Sequence, residues 1–242
     1  MNLIIDIGNT SVKLAVYEEN SCLDTFTLLK KDFFKSIKKI LKEYPKVKNG
    51  IISSVDFFSK EEENELKKLL KLTIVSTAML LPFKNLYKTP KTLGLDRVAL
   101  IAAAAVQYEK ENVLVIDAGT CVTYDFLNSK NEYLGGAISP GLTMRYEALH
   151  NLTAKLPLLK PDDSDYFIGN STESSIHSGV INGLVNEIDG VIQQYLATYK
   201  DLTIILTGGN TNFLAKRLKS SIFANSNFLL EGLNHLLKIN TD

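Results

Sequence analysis

Two short stretches carry the residue types best suited to chemistry. Residues 6–13 read Asp-Ile-Gly-Asn-Thr-Ser-Val-Lys, and residues 117–120 read Asp-Ala-Gly-Thr. Each follows an apolar run, Ile4-Ile5 or Val115-Ile116, and each precedes a second alternating run. A glycine at such a place lets backbone N–H groups approach an anion closely. The hydroxyls of Thr10, Ser11 and Thr120 add donors. An aspartate beside a phosphate is tolerable when a cation sits between them, because hard cations take oxygen ligands. The two stretches together read as a metal–phosphate clamp gripping the β- and γ-phosphates of a nucleotide. Singly, either Asp-x-Gly is an ordinary turn former at a hairpin. Lys13 either reaches a phosphate or is the solvent-facing member of an alternating strand, and position alone leaves both open.

The elements that must present these loops repeat. In the first half, alternation and apolar runs predict strands at 2–8, 11–17 and 22–29, then a helix over 31–44 with Phe34, Ile37, Ile40 and Leu41 at helical spacing. A short strand at 50–55, a charged helix over 60–72 capped by Ser59, and a strand at 73–76 follow. The pattern restarts with strands at 112–117, 121–127 and 133–138, helices from 142 and within 176–199, a strand at 202–206 and a final helix near 213–218. Strand, Asp, Gly, Thr and second strand recur in the same order in both halves. This is a duplication at domain scale, with domains expected at 1–111 and 112–242.

Composition agrees with a folded α/β chain. At 242 residues, with 45% hydrophobic and 22% charged residues, it can bury roughly 70–75% of the surface its unfolded form exposes. Lys+Arg and Asp+Glu balance at 27 each, which favours neither a nucleic acid nor an anionic membrane as partner. The apolar run at 98–106 is too short to span a bilayer. The two cysteines, Cys22 and Cys121, have no metal or redox spacing, and His150, His177 and His235 form no ligand pattern. The first residues lack the features of a secretory leader, so a reducing cytoplasm is the expected location. Neither GxxxxGK[ST] nor GxGxxG occurs, which disfavours P-loop and Rossmann nucleotide sites.

The ordered set DIGNTSVK at 6–13, GLDR at 94–97, DAGT at 117–120, GGAISPG at 135–141 and TGGN at 207–210 closely resembles the type III pantothenate kinases, within the actin-like superfamily of acetate and sugar kinases. The resemblance spans nearly the whole chain. It implies a duplicated ribonuclease-H-like (actin-like ATPase) α/β fold, two similar domains with a nucleotide cleft between them. The activity implied is ATP-dependent phosphorylation of pantothenate to 4′-phosphopantothenate, the first step toward coenzyme A. Residue by residue, it implies that Asp6, Ile7, Gly8, Asn9, Thr10, Ser11, Val12 and Lys13 meet the ATP phosphates, and that Thr120 touches ATP. Asp117 is similar to the family's ligand for a monovalent cation, K⁺ or NH₄⁺, and Mg²⁺ accompanies the nucleotide. Gly94, Leu95, Asp96 and Arg97 are implied contacts for pantothenate, with Asp96 the general base. Tyr87 and Thr172 resemble further substrate contacts. Without the resemblance, Thr172 reads as a helix cap, Tyr87 as a packing residue and Asp96–Arg97 as a structural ion pair. A homodimer with the pantothenate pocket near its interface is also implied.

The TGGN segment is expected near the adenosine; the irregular 135–141 segment reads either as lining the substrate side or as a plain turn, and is left out of the site. The second loop lacks an Asn between Gly119 and Thr120, so it is shorter and is expected to hold fewer phosphate oxygens. Two other readings compete: a kinase of the same superfamily with another acceptor, and a nucleotide-binding regulatory or assembly protein. The GLDR motif with Tyr87 and Thr172 weighs against the first, and retention of Asp96 against the second.

Overall fold

The computed structural model of the chain describes residues 1–8, 11–54, 59–76 and 78–241. Asn9 and Thr10 of the first loop, and Val55 at the end of an expected strand, lie outside the described residues. The chain forms two compact units. Unit 1 comprises Met1–Glu109, Asn131–Tyr133 and Asn227–Asp242, and unit 2 comprises Lys110–Lys130 and Leu134–Ser226.

In unit 1, β1 (Asn2–Ile7) pairs antiparallel with β2 (Val12–Glu18) and parallel with β4 (Asn49–Ser54). With β3 (Ser21–Leu28) and β5 (Lys71–Ile74) outside them, the order is β3-β2-β1-β4-β5. Successive side chains alternate between the sheet faces. Leu3, Ile5, Ile7, Val12, Leu14 and Val16 form one core with helices α1 (Phe33–Glu43) and α2 (Lys60–Lys67), which supply Phe33, Ile37, Ile40 and Leu66. The α1 residues recur at i, i+4 and i+7, which places them on one helix face. Ser59 caps α2 as expected, in a reciprocal capping box with Glu62. The opposite sheet parity carries Asp6, its β2 partner Lys13 and its β4 partner Ser53. Two further helices, α3 (Leu95–Gln107) and α7 (Phe228–Ile239), pack on each other and on the sheet.

Unit 2 repeats this plan. Strand β7 (Asn112–Ala118) is antiparallel to β8 (Cys121–Leu127) and parallel to β10 (Leu202–Thr207), which is parallel to β11 (Phe223–Ala224). With β9 (Glu132–Pro140) beside β8, the order β9-β8-β7-β10-β11 matches unit 1 strand for strand. Leu114, Ile116, Ala118, Val122 and Tyr124 pack against α4 (Leu142–Asn151) and the long α5 (Thr172–Thr198). A short α6 (Thr211–Ala215) follows β10. The start of β9 belongs to unit 1, where Glu132 and Tyr133 pair with β6 (Lys84–Asn85).

Three differences from the sequence expectations have physical causes. The helix expected over 60–72 ends at Lys67, because Lys71 is drawn into parallel pairing with Asn49 of β4. No helix was expected at α3. Its residues from Arg97 to Ala105 are all buried, so no apolar stripe marks it. No helix was expected at α7 either, and its N-terminus has no side-chain cap. This helix rejoins unit 1, so the contact-based division differs at the C-terminus from the expected 112–242.

The α3–α7 contact is close because Gly232 lies against the carbonyl of Ala99, where a Cβ would overlap it. Gly232→Ala is expected to destabilise the protein by about 1–3 kcal/mol through overpacking. Calorimetry should show Tm falling by roughly 2–4 °C per kcal/mol.

Candidate active site

The first loop opens where β1 ends. The Gly8 N–H donates to the Ser11 carbonyl at 3.0 Å, which closes the turn between Ile7 and Val12. Asp6 keeps part of its surface in solvent but is largely enclosed by protein. Burial is the main cause that pushes its carboxyl up to about 6; the Lys13 ammonium opposes the shift and the Asp96 carboxylate adds to it. Two charged groups expected in the site, Lys13 and Asp96, therefore both act on Asp6 inside unit 1. Ser53, the β4 neighbour of Asp6, is fully buried, and its hydroxyl has no hydrogen-bond partner among the described residues.

The GLDR residues form the start of α3. Gly94 precedes the helix, and a Cβ there would overlap the Asp96 Oδ1. Glycine thus allows the carboxylate to fold back over the helix N-terminus. Its Oδ1 accepts from the Arg97 N–H at 2.8 Å, and a negative charge in the first turn is favoured by the helix dipole. Leu95 is half-buried and Arg97 is buried, with its guanidinium 5.6 Å from the centre of the Tyr87 ring. That ring stacks on Tyr133 at 6.0 Å and 19°, and Tyr133 meets Phe83 edge-on. The Tyr87 N–H donates to Asn85 Oδ1 at 2.9 Å, and the Leu86 N–H donates to the Tyr133 carbonyl at 3.0 Å. Arg97 and Tyr87 thus belong to one cation–aromatic cluster backed by a buried ring.

In unit 2 the second loop closes in the same way, with the Gly119 N–H donating to the Cys121 carbonyl at 2.9 Å. Its turn is one residue shorter, since Ala118 pairs with Val122. Asp117 lies between Thr123 of β8 and Thr207 of β10 in register. Gly208 adopts a φ of 95°, and a Cβ there would overlap Asp117 Oδ1 and the Ala118 backbone. Asn210 ties the loop from outside: its N–H and its Nδ2 both donate to the Ala118 carbonyl, at 3.0 and 3.2 Å. The Thr123 hydroxyl is buried without a partner among the described residues. A carboxylate flanked by such a hydroxyl is a set of oxygen ligands of the kind that hard cations take. Among the described residues, no group of three or more His, Cys, Asp or Glu side chains could hold a metal by itself.

Thr172 is the first residue of α5, after the Ser171 cap, so the capping position falls one residue before it. It lines a cavity of about 1070 Å³ within unit 2, with Pro140, Arg145, Gly169 and Ile176 among the other walls. Thr120 is exposed, and its carbonyl accepts the Gly141 N–H at 3.1 Å.

A family model described as type III pantothenate kinase matches residues 2–194. Proteins of that name from Christiangramia forsetii and Flavobacterium johnsoniae are 52% and 50% identical to the chain. The alignments cover 99% of both chains in the first case, and 100% of this chain and 99% of the relative in the second. The chain belongs to the type III pantothenate kinase family. Among solved structures, a Campylobacter jejuni protein provisionally named a Baf family transcriptional activator is 22% identical, with a TM-score of 0.61 over 98% of this chain and 97% of that one. A ROK family glucokinase from Streptomyces griseus, in complex with glucose and AMPPNP, is 13% identical with a TM-score of 0.53, covering 99% and 98%. These two likenesses show the duplicated actin-like fold.

For this pantothenate kinase, the structure gathers Asp6, Lys13 and Asp96 in unit 1, with Tyr87 and Arg97 as a second group there. Asp117, Thr120 and Thr172 belong to unit 2. Sequence reasoning did not single out Tyr133, the brace behind Tyr87, or Arg145. Arg145 is paired with Glu187 and hydrogen-bonded to the 139–140 segment. No spacing signal exists for either, because each acts through a contact distant in sequence.

Asp6 has a raised folded-state pKa, so the folded chain binds its proton more tightly than the unfolded chain does. Its ionised form therefore opposes folding fully above about pH 6. The penalty fades as pH falls and vanishes below the ordinary value of 3.8. Asp6→Asn is expected to raise Tm at pH 8, by up to about 3 kcal/mol of stability. The gain should disappear near pH 4, while ATP turnover is lost. Paired thermal scans and assays across that range check it.

Proposed function

We infer that this kinase transfers the γ-phosphoryl group of ATP to the primary alcohol of pantothenate with Asp96 as general base, the Asp6–Lys13 loop meeting the ATP phosphates and Thr120 assigned to ATP. The overall reaction follows from the family: ATP-dependent phosphorylation of pantothenate, opening coenzyme A biosynthesis. The observation that carries the residue assignment is the grouping of Asp6, Lys13 and Asp96, with the Tyr87–Arg97 cluster on the same α3 N-terminus.

In this reading the alcohol oxygen attacks the γ-phosphorus, its proton passes to the Asp96 carboxylate, and the bond to the β–γ bridging oxygen breaks to release ADP. Asp96 Oδ1 is engaged by the Arg97 N–H, so Oδ2 takes the proton. The Arg97 guanidinium pairs with the pantothenate carboxylate and Tyr87 lies alongside the chain of the substrate. Lys13 and the loop N–H groups, with Asn9 and Thr10 assigned from the motif, orient the phosphates. Asp117 would hold a monovalent cation and Mg²⁺ would accompany the nucleotide, each of which would supply positive charge for the phosphate oxygens. Alignment and charge neutralisation provide most of the acceleration.

Thr172 is assigned to pantothenate, and the working form to a homodimer. What supports the dimer is the exposed apolar surface near the unit 2 cavity, with Leu152, Phe167 and Ile168 all about four-fifths exposed. The cytoplasm is the assigned location, in keeping with two free cysteines. No helix among the described residues is long and apolar enough to cross a membrane.

ATP turnover measured with and without pantothenate, in potassium and then in sodium buffer, tests the assignment. Pantothenate-dependent, potassium-favoured turnover is expected, falling about 10²–10⁴-fold in Asp96→Asn. Light scattering is expected to give twice the 26.9 kDa chain mass. ATP binding without pantothenate-dependent turnover would overturn the acceptor.

A further inference from the structure

The contacts of Arg145 run against what its own helix favours. It lies in the first turn of α4, where the helix dipole repels a cation. It is also largely enclosed, its side chain 20% exposed and that of its partner Glu187 29% exposed, so the pair sacrifices hydration. A placement that costs stability twice invites a functional reason.

The geometry supplies one. Glu187 projects from the middle of α5, where its carboxylate accepts the Tyr124 hydroxyl of β8 at 2.9 Å and pairs with Arg145. The guanidinium also reaches the end of β9: Nε donates to the Pro140 carbonyl at 2.9 Å, and Nη2, which meets Glu187, donates as well to Ser139 Oγ at 3.2 Å. The next residue, Gly141, donates its N–H to the Thr120 carbonyl, and a Cβ on it would overlap the carbonyls of Gly119 and Thr120. The helix core is thus linked through one planar cation to the 139–141 segment, and through that segment to the second phosphate loop. A lysine could not reproduce the link, because the guanidinium meets several partners in fixed directions.

We propose that Arg145, held by Glu187 and Tyr124, is a positioning residue that sets the Gly119–Thr120 peptide for the nucleotide phosphates. The proposal deepens the assignment of that loop to ATP and rests on it. It also gives the 135–141 segment a role: its last three residues form the wall against which the loop is set.

The test separates nucleotide from acceptor. Steady-state kinetics on Arg145→Lys, Glu187→Gln and Tyr124→Phe is run beside calorimetric titration of each with a non-hydrolysable ATP analogue without pantothenate. Arg145→Lys is expected to raise KM for ATP and the analogue Kd about tenfold, with KM for pantothenate and kcat within about twofold. Glu187→Gln keeps the shape and one acceptor, so it should give a smaller change of the same kind, and Tyr124→Phe a smaller one still. A rise in KM for pantothenate instead would make Arg145 an acceptor contact and overturn the proposal. A lowered Tm with unchanged KM and Kd for nucleotide would reduce the network to a structural role and overturn it as well. The analogue titration reads the loop independently of the acceptor. A wild-type protein that binds nucleotide but ignores pantothenate would therefore count against the acceptor assignment alone.

Discussion

The constraint on which the rest depends is the negative charge of Asp6 at the end of a central strand. Burial penalises that charge, Asp96 adds to the penalty, and Lys13 from the next strand relieves part of it. A fold built for stability alone would place an apolar residue here, as it does at Ile4 on the same side of the strand. Keeping a carboxylate at this point fits the proposed assignment of this loop to phosphate and its cations, which would complete the charge balance.

Everything around that charge serves to place it. The antiparallel β1–β2 pair sets Lys13 directly opposite, and the parallel β4 sets Ser53 on the other side. The alternation that sends Leu3, Ile5 and Ile7 to the α1–α2 core turns Asp6 toward the face on which α3 brings Asp96. Unit 2 repeats the strand order but changes the flanking chemistry. Asp117 has threonines at both neighbouring positions, where Asp6 has a lysine and a serine. The same scaffold thus carries a built-in ammonium in one copy and a set of oxygen donors in the other.

Glycines mark where backbone segments come closest. Gly94 makes room for the Asp96 carboxylate, Gly208 for Asp117, and Gly141 for the second loop's carbonyls. These positions lie within the short motifs that carry the family resemblance, and their reason is steric. An added Cβ at each would meet the Asp96 carboxylate, the Asp117 carboxylate or a loop peptide.

The amino-acid order by itself determined the duplication, because strand alternation and the Asp–Gly turns are local signals read within a few residues. It also identified the Asp6–Lys13 and Gly94–Arg97 segments, where chemistry-bearing side chains are close in sequence as well as in space. The helix α3 was hidden because it is buried on all sides and so lacks a periodic polar face. The return of α7 to unit 1 was hidden because nothing in a local window says which core an apolar helix will join. The stacking of Tyr133 behind Tyr87 and the link from Glu187 through Arg145 to the second loop were decided only in three dimensions. Each joins residues from separate elements, and their geometry exists only once the sheets and helices have packed.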